Sequence, residues 1–414
     1  MRTNKLFNIC NIYIILWCVY NLHRYEILPE ENIFVSKLPL GINLIMSIYY
    51  FVKVNYKCRL PIYLKGLNLL LVMFVAYGVS SILLGGTHII KASYIEINNA
   101  SYIVSILRSL LPIYAFYYFA VQGYLTEKSV KIWALIFVAV YFVYYYVRSI
   151  TIVVETDQVE GEFTNNIGYL LITLLPGLLL FKEKKIIFLS LLLFVMILVA
   201  LCMKRGAIII GIIVSVYMLY IIFKHSKISS RILLLLSSVF VFIYFTQYIG
   251  NLYEKSEYFQ ERVNETLEGD TSGRGIIVST LLDSFKYDTS VLQVFFGKGA
   301  DATLDIAVNY AHNDWLEILI NQGILGVIVF MIYWICFYRQ CAYMCDNVYK
   351  NISVAIFIIY MLSTFFSMSY NQVSTFAALL LGFSLFENHN WLSREKILSD
   401  NNFRSYEPII HFKS

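Results

Sequence analysis

Long apolar runs, separated by short polar segments, recur through most of this chain. A helix needs about 20 predominantly apolar residues to cross the hydrocarbon core of a bilayer. Twelve runs have or approach that length, at residues 6–22, 38–54, 66–84, 101–121, 130–149, 166–181, 186–203, 206–223, 232–250, 315–338, 352–369 and 372–386. The sixth and the twelfth are the shortest. The pattern predicts an all-α integral membrane protein with about 12 transmembrane helices.

The composition agrees with a bilayer environment. The chain is 59% hydrophobic and 14% charged, whereas about 25% of the residues of a soluble globular domain are charged. The net charge of +5 does not indicate nucleic-acid binding, because the Lys and Arg residues lie mostly in short segments between apolar runs. Such a distribution reflects membrane topology.

The basic residues also predict the orientation. If the N-terminus is cytoplasmic, the richest clusters fall in inside segments, around residues 2–5, 53–65, 128–131, 182–185, 224–231, 339–350 and 394–413. The outside segment 151–165 is acidic. Cytoplasmic loops carry an excess of Lys and Arg, so we expect both termini to be cytoplasmic, with residues 387–414 forming a cytoplasmic tail.

One polar segment, residues 251–314, is much longer than every other interior loop and is predicted to face outward. Long loops in compact proteins are usually functional or disordered. Its pattern predicts a charged surface helix over residues 253–267 and a second helix from about Ser272 to Tyr287, followed by a turn at Gly297-Lys298-Gly299. Residues 1–414 are therefore expected to form a single polytopic membrane domain with one large, partly helical external loop.

Several cations are predicted to gather on this outward side. Lys204 and Arg205 occupy the tight turn between spans seven and eight, Arg262 and Arg274 lie in the long loop, and Arg108 lies inside span four. Guanidinium groups suit phosphate because they offer planar, bidentate donors. Each of these cations also has an interpretation without a binding role. Lys204 and Arg205 could be solvated turn residues, and Arg262 fits a charged surface helix better than a site. Arg108 could extend its side chain to the membrane interface or pair with an acidic residue.

A second polar group, which includes His312, Asn313, Asp314 and Glu317, lies where span ten begins. A His at a helix start favours the neutral imidazole that a general base needs, but Asp314 favours the charged form, so the protonation state stays open here. The alternative is a helix cap in which His312 has no role. Glu317 could bind substrate, pair with an arginine or tune His312.

Metal and disulfide chemistry have little support in the sequence. None of the seven Cys residues forms a CxxC pair, and the six His residues are scattered. We therefore expect reduced, structural cysteines and no cofactor.

Three stretches resemble the O-antigen polymerase and ligase superfamily of bacterial membrane glycosyltransferases. The stretches are Met203-Lys204-Arg205-Gly206-Ala207, then Ser272-Gly273-Arg274 with Phe296-Gly297-Lys298-Gly299, and finally Ala311-His312-Asn313 with Asn321-Gln322-Gly323-Ile324-Leu325-Gly326. They cover about residues 200–335. Lys204 stands where the family usually has a small hydroxyl residue.

The resemblance implies a glycosyltransferase C-like fold in a bacterial inner membrane, a lipid-diphosphate donor and no metal. It implies a polymerase that joins polyprenyl-diphosphate-linked repeats into surface polysaccharide, with His312 and Arg274 catalytic and Arg205, Arg108, Lys204, Asn313 and Glu317 binding substrate. A chain-length regulator is an expected partner, and nucleic acid is not. A ligase acting on lipid A-core and a polysaccharide flippase are the alternatives.

Overall fold

The computed structural model describes residues 8–24, 33–84, 87–91, 95–156, 165–228 and 274–400, with isolated positions between 231 and 264. In chain order its helices are α1 (Ile9–Arg24), α2 (Ile33–Lys57), α3 (Ile62–Leu84), α4 (Asn99–Leu110), α5 (Pro112–Val121), α6 (Glu127–Thr156), α7 (Gly168–Phe181, which alternates α and 3-10 turns), α8 (Lys185–Leu201), α9 (Arg205–Lys224), α10 (Arg274–Tyr287), α11 (Val291–Phe296), α12 (Thr303–Ile306), α13 (Asp314–Tyr343), α14 (Val348–Phe366) and α15 (Thr375–Asp400).

Seven helical stretches of the described chain are long and apolar enough to cross a membrane: Lys37–Lys57, Ile62–Leu84, Ala100–Val121, Glu127–Ile152, Arg205–Lys224, Asp314–Tyr343 and Val348–Phe366. Four shorter apolar helices, Ile9–Asn21, Gly168–Phe181, Lys185–Leu201 and Thr375–Asn388, fall at other predicted spans. The protein is therefore a mostly helical, multi-pass membrane protein. The ninth predicted span, 232–250, lies largely outside the described residues, so the count of twelve stays a prediction.

Two predicted spans are interrupted. The fourth divides into α4 and α5 just before Pro112, because proline has no amide hydrogen to continue the helical ladder. The tenth, α13, has a non-helical residue in its interior, Gly323 (φ 67°). Hydropathy alone showed both as continuous runs.

Short connections make successive helices alternate in direction, and this alternation gathers the functional segments at one end of the bundle. The last turn of α4 meets the end of α1, where Arg108 donates to the Tyr20 hydroxyl (2.8 Å). The start of α7 meets the end of α8, where the Asn165 amide donates to the Cys202 carbonyl (2.9 Å). We call this end the site end. It also carries the starts of α9, α13 and α15 and the end of α14.

Aromatic side chains fill much of the interior between the helices. Tyr63 of α3 packs against Phe337 of α13 with ring centroids 4.5 Å apart, and Tyr50 of α2 packs against Phe119 of α5 at 4.7 Å. Lipid tails are as apolar as these side chains, so close packing and interhelical hydrogen bonds stabilise such a bundle more than hydrophobic burial does.

The segment between α11 and α12 docks onto the interruption in α13. The amide of Lys298 donates to the Ile320 carbonyl (2.9 Å), and the amide of Gly299 donates to the Asn321 carbonyl (3.0 Å). These carbonyls lie just before Gly323, where the helical ladder is broken, so the loop satisfies groups that the break would leave unpaired. The two glycine stretches, distant in sequence, are therefore one structural joint.

A two-stranded antiparallel hairpin, β1 (Thr87–Ile90) and β2 (Ile95–Asn98), stands between α3 and α4. This hairpin was not predicted from the sequence. His88 Nδ1 lies 3.0 Å from a carboxylate oxygen of Asp305, and Lys91 donates to the Asp305 carbonyl (3.1 Å). The hairpin thus holds α12 from outside the bundle.

Replacing Gly323 by alanine should destabilise the fold. The new Cβ would lie 2.5 Å from the backbone nitrogen of Gly297, and an L-residue at this backbone conformation (φ 67°, ψ −167°) costs about 1–3 kcal/mol before any clash. We expect a clearly lower midpoint for thermal unfolding in detergent. Gly41→Ala in α2 is the matched control, since nothing lies within 4 Å of its added Cβ. Equal midpoints for the two variants would contradict the proposed joint.

Candidate functional site

The candidate site is built around the backbone carbonyl of Phe366, the last residue of α14. Arg274 Nη1 donates to this oxygen (3.0 Å), and the Tyr169 hydroxyl donates to it as well (3.3 Å). The last carbonyls of a helix lack intrahelical partners and carry partial negative charge. A guanidinium group is therefore a favourable partner, and it fixes the start of α10 to the bundle.

The turn that carries Lys204 and Arg205 lies against the same carbonyl segment. Lys204 is the N-cap of α9, Arg205 is its first residue, and Gly206 follows. A Cβ on Gly206 would overlap the Tyr169 hydroxyl and lie 3.0 Å from the Phe366 Cβ. Glycine is therefore required for this close approach, which brings the cationic turn next to the partners of Arg274.

His312 lies in the loop just before α13, with a left-handed backbone (φ 52°). Both of its neighbours are held. The Asn313 side chain caps α13 by accepting from the Leu316 amide (3.1 Å), and the Ala311 amide donates to Glu317 (2.9 Å). The cap interpretation of Asn313 is thus realised, and it positions His312 instead of excluding a role for it.

Glu317 is fully buried and serves the backbone of the loop. Besides Ala311, it accepts from the Thr303 hydroxyl (2.5 Å) and the Asn321 amide (2.9 Å). None of these partners is an arginine, and Glu317 is fully buried, so the described residues support neither the arginine pair that the sequence left open nor direct contact with substrate. Burying a carboxylate is costly unless it is hydrogen-bonded, and these three bonds offset the cost.

Asp314, which the sequence analysis did not select as a site residue, ties α13 to the segment after α14. It is fully buried and accepts from the Ser369 amide (2.9 Å), from the Ser369 hydroxyl, and from the Tyr370 amide (3.1 Å). Its only sequence signal was its acidity at the start of a span, where ionisable residues are expensive and usually have a purpose.

The electrostatics settle the protonation state of His312. Burial, followed by the positive charges of Arg274 and Lys204, lowers its pKa from 6.5 to about 4. The imidazole is therefore neutral near pH 7. Among the residues that the structure describes, neither ring nitrogen is hydrogen-bonded to protein, so the ring has a nitrogen available to accept a proton.

Arg205 and Arg274 are each the first residue of a helix. A helix N-terminus already carries partial positive charge, so a guanidinium there gains nothing from the macrodipole. Guanidinium groups at such fixed positions form a strong site for a phosphate-like anion. The arrangement can thus bind a multiply charged anion next to a neutral base.

Arg108 lies apart from this cluster. It donates to Tyr20 and, more weakly, to the Ser105 hydroxyl (3.3 Å), and it lines a cavity that Arg274 does not line. The structure therefore brings together Arg274, Lys204 and His312, and it places Arg108 in the adjacent cavity. Arg262 lies outside the described residues.

Candidate metal ligands do not converge within the described part of the chain, where no group of three His, Cys, Asp or Glu side chains could hold an ion. The seven cysteines are free thiols, each buried or partly buried.

Comparison with known protein families bears on this geometry. Residues 187–331 match the family model described as O-antigen ligase. The match covers less than half of the chain and identifies a domain similar to that family. This domain runs from α8 into α13 and contains Arg205, Arg274 and His312, so the predicted resemblance to the O-antigen polymerase and ligase superfamily is confirmed. The family is enzymatic. A search of curated proteins gave no match.

The pKa of His312 can be measured directly. We expect its ring to titrate well below 6.5, because Arg274 and Lys204 oppose protonation, and Lys204→Gln should move the titration upward. The measurement is NMR of 13C-labelled histidine, with the signal assigned from a His312→Asn variant. Exposed His225 is the internal control. Titration of His312 at or above 6.5 would contradict the predicted depression of its pKa.

Asp301 gives a stability test outside the spans. It is buried, and burial followed by the charge of Glu317 raises its pKa to about 7. The folded state favours the protonated form of Asp301. The contribution of this carboxyl group to the free energy of unfolding is therefore lost as pH rises from about 4 to about 7. Asn mimics the protonated form and tolerates the positive φ of 55°. Asp301→Asn should therefore raise the unfolding midpoint, increasingly so toward pH 8, whereas Asp283→Asn at an exposed position should not.

Proposed function

We propose that this protein polymerises polyprenyl-diphosphate-linked oligosaccharide repeats into a surface polysaccharide, O-antigen or capsule, at the outer face of the bacterial inner membrane. One observation carries the proposal: a neutral His312 lies within the electrostatic influence of Arg274 and Lys204 at one end of a membrane bundle. The O-antigen ligase family domain supports a polymerase or ligase type of function.

The cationic cluster is proposed to hold the donor. Arg274 and Arg205 contact the diphosphate through paired guanidinium donors, and Lys204 adds a third positive charge. As the bond to the sugar breaks, negative charge grows on the leaving diphosphate, and fixed donors that meet this charge lower the barrier.

His312 is proposed to act as the general base. A hydroxyl of the acceptor sugar attacks the anomeric carbon of the donor, a new carbon–oxygen bond forms, and the bond to the diphosphate oxygen breaks with its electron pair. The hydroxyl proton passes to the imidazole. Attack opposite the leaving group inverts the anomeric centre. The bound diphosphate offsets the cations that depress the pKa of His312, so the base strengthens when the donor is present.

A ligase that transfers finished polymer to lipid A-core is the second candidate, and the description of the matched family favours it. The abundance of Tyr and Phe in the spans and the moderate external loop favour polymerisation. A deletion strain distinguishes the two: single-repeat surface glycan indicates loss of a polymerase, and complete polymer retained on the carrier lipid indicates loss of a ligase. The flippase alternative lacks support, because the cations lie at one end of the bundle and not near its middle. A chain-length regulator stays a predicted partner.

Two substitutions test the assigned roles. His312→Asn keeps a residue that tolerates the positive φ but removes the base, and Arg274→Lys keeps the charge but removes the paired donors. We expect polymer formation by purified protein on lipid-linked repeats to fall about a hundredfold or more for His312→Asn and at least about tenfold for Arg274→Lys.

His225→Asn and Arg339→Lys are the matched controls, since both residues are exposed and lie at the opposite end of the bundle. Both controls should retain wild-type activity. Full-length polymer from both site variants would show that His312 and Arg274 do not carry the reaction.

A further inference from the structure

A polar cavity lies inside the bundle at the site end, next to the candidate site. Its cavity volume is about 80 Å³, and the space between its walls reaches about 770 Å³ when the part open to solvent is included. Thirteen of its eighteen lining residues carry a hydroxyl, amide or guanidinium group, and none of the described lining residues carries a carboxylate. Polar groups inside a membrane bundle are costly and usually line a pathway or a site, so a cavity this polar is unlike ordinary helix packing.

The cavity and the candidate site share a wall. Ser367 and Ser369 line the cavity. They lie in the segment that follows Phe366, whose carbonyl accepts a hydrogen bond from Arg274. Tyr169 also lines it and donates to that same carbonyl. Ser369 is held by Asp314, two residues after His312. A ligand in the cavity is therefore separated from the cationic cluster by one stretch of backbone.

The chemistry of the lining favours a sugar over a diphosphate. Arg108 is the only charged residue among the described residues that line the cavity, whereas the diphosphate proposed for the neighbouring cluster meets three cations. Hydroxyl and amide groups both donate and accept hydrogen bonds, which matches the hydroxyls of a pyranose ring. Trp17, Tyr169 and Tyr360 add aromatic surface.

A groove on the surface of α4 shares one lining residue with the cavity. Arg108 also lines an open groove along α4, formed with Ala100, Ser101, Val104 and Ser105. Small residues in that groove leave room for a chain to lie against the helix. Arg274, Lys204 and Arg205 do not line the groove, so it offers a second substrate a path that the donor does not occupy.

We propose that this cavity binds one sugar ring of the acceptor repeat, neutral or bearing a single carboxylate that faces Arg108, and that the acceptor arrives along α4. The assignment to the acceptor rests on the proposed function, while sugar binding itself does not. The shared wall then presents the acceptor from one side and the donor diphosphate from the other.

Saturation-transfer NMR on the purified full chain in detergent tests sugar binding without requiring catalysis. The probes are free galactose, N-acetylglucosamine and glucuronic acid at millimolar concentration. At least one should receive saturation from the wild type. Ser367→Phe should abolish the signal by filling the cavity, and Gln372→Leu, which removes a lining amide at an exposed position, should weaken it. Ser279→Phe, the same change at an exposed residue of α10, should leave it intact.

Polymer formation on lipid-linked repeats from the deletion strain supplies the second readout. Ser367→Phe should lower it at least about tenfold, as expected for the loss of several hydrogen bonds, with Ser279→Phe close to wild type. No saturation transfer to the wild type, or equal transfer to Ser367→Phe, overturns the cavity proposal even if polymerisation is demonstrated. Cavity-dependent transfer in a protein whose deletion leaves surface glycan unchanged supports the cavity and overturns the proposed function instead.

Discussion

The site depends on one exposed carbonyl, that of Phe366 at the end of α14. Arg274 and Tyr169 both donate to it, and Gly206 is required for the close packing beside it. The partial negative charge at a helix C-terminus attracts a guanidinium group, so this bond places a loop arginine at a fixed point of the bundle. Without it, the start of α10 would lack this polar tie, and the cations would not share one locality with His312.

Buried carboxylates organise the site without neutralising it. Glu317 holds the amide before His312, and Asp314 holds the segment after Phe366. Their hydrogen-bond donors are backbone amides, hydroxyls and a side-chain amide, so neither acid pairs with Arg274. Several hydrogen-bond donors to each carboxyl group make its burial tolerable. The positive field that depresses the pKa of His312 consequently persists until an anionic ligand arrives.

Transfer between two lipid-linked molecules requires two binding places that meet at one reacting bond. The cationic cluster and the hydroxyl-lined cavity meet this requirement, because the segment from Phe366 to Ser369 borders both. The cluster is cationic and its proposed ligand is an anionic diphosphate, whereas the cavity is mostly uncharged and its proposed ligand is a sugar ring. That difference allows each to reject the ligand of the other, since a diphosphate would meet a single described cation, Arg108, in the cavity and a neutral sugar would not satisfy three cations in the cluster.

The sequence by itself determined that the chain crosses a membrane repeatedly, because span-length hydropathy is a local property of the chain. The resemblance of three short stretches to a known superfamily singled out Arg205, Arg274 and His312. Only the tertiary structure decided that Arg108 lies in a separate cavity and that Glu317 supports a loop instead of binding an arginine. It also decided that two distant glycine stretches form one joint, that α13 breaks, and that His312 is neutral. Each of these features depends on contacts between residues that are distant in the sequence, or on how strongly burial disfavours a charged side chain. Neither the contacts nor the burial can be deduced from the order of residues along one helix.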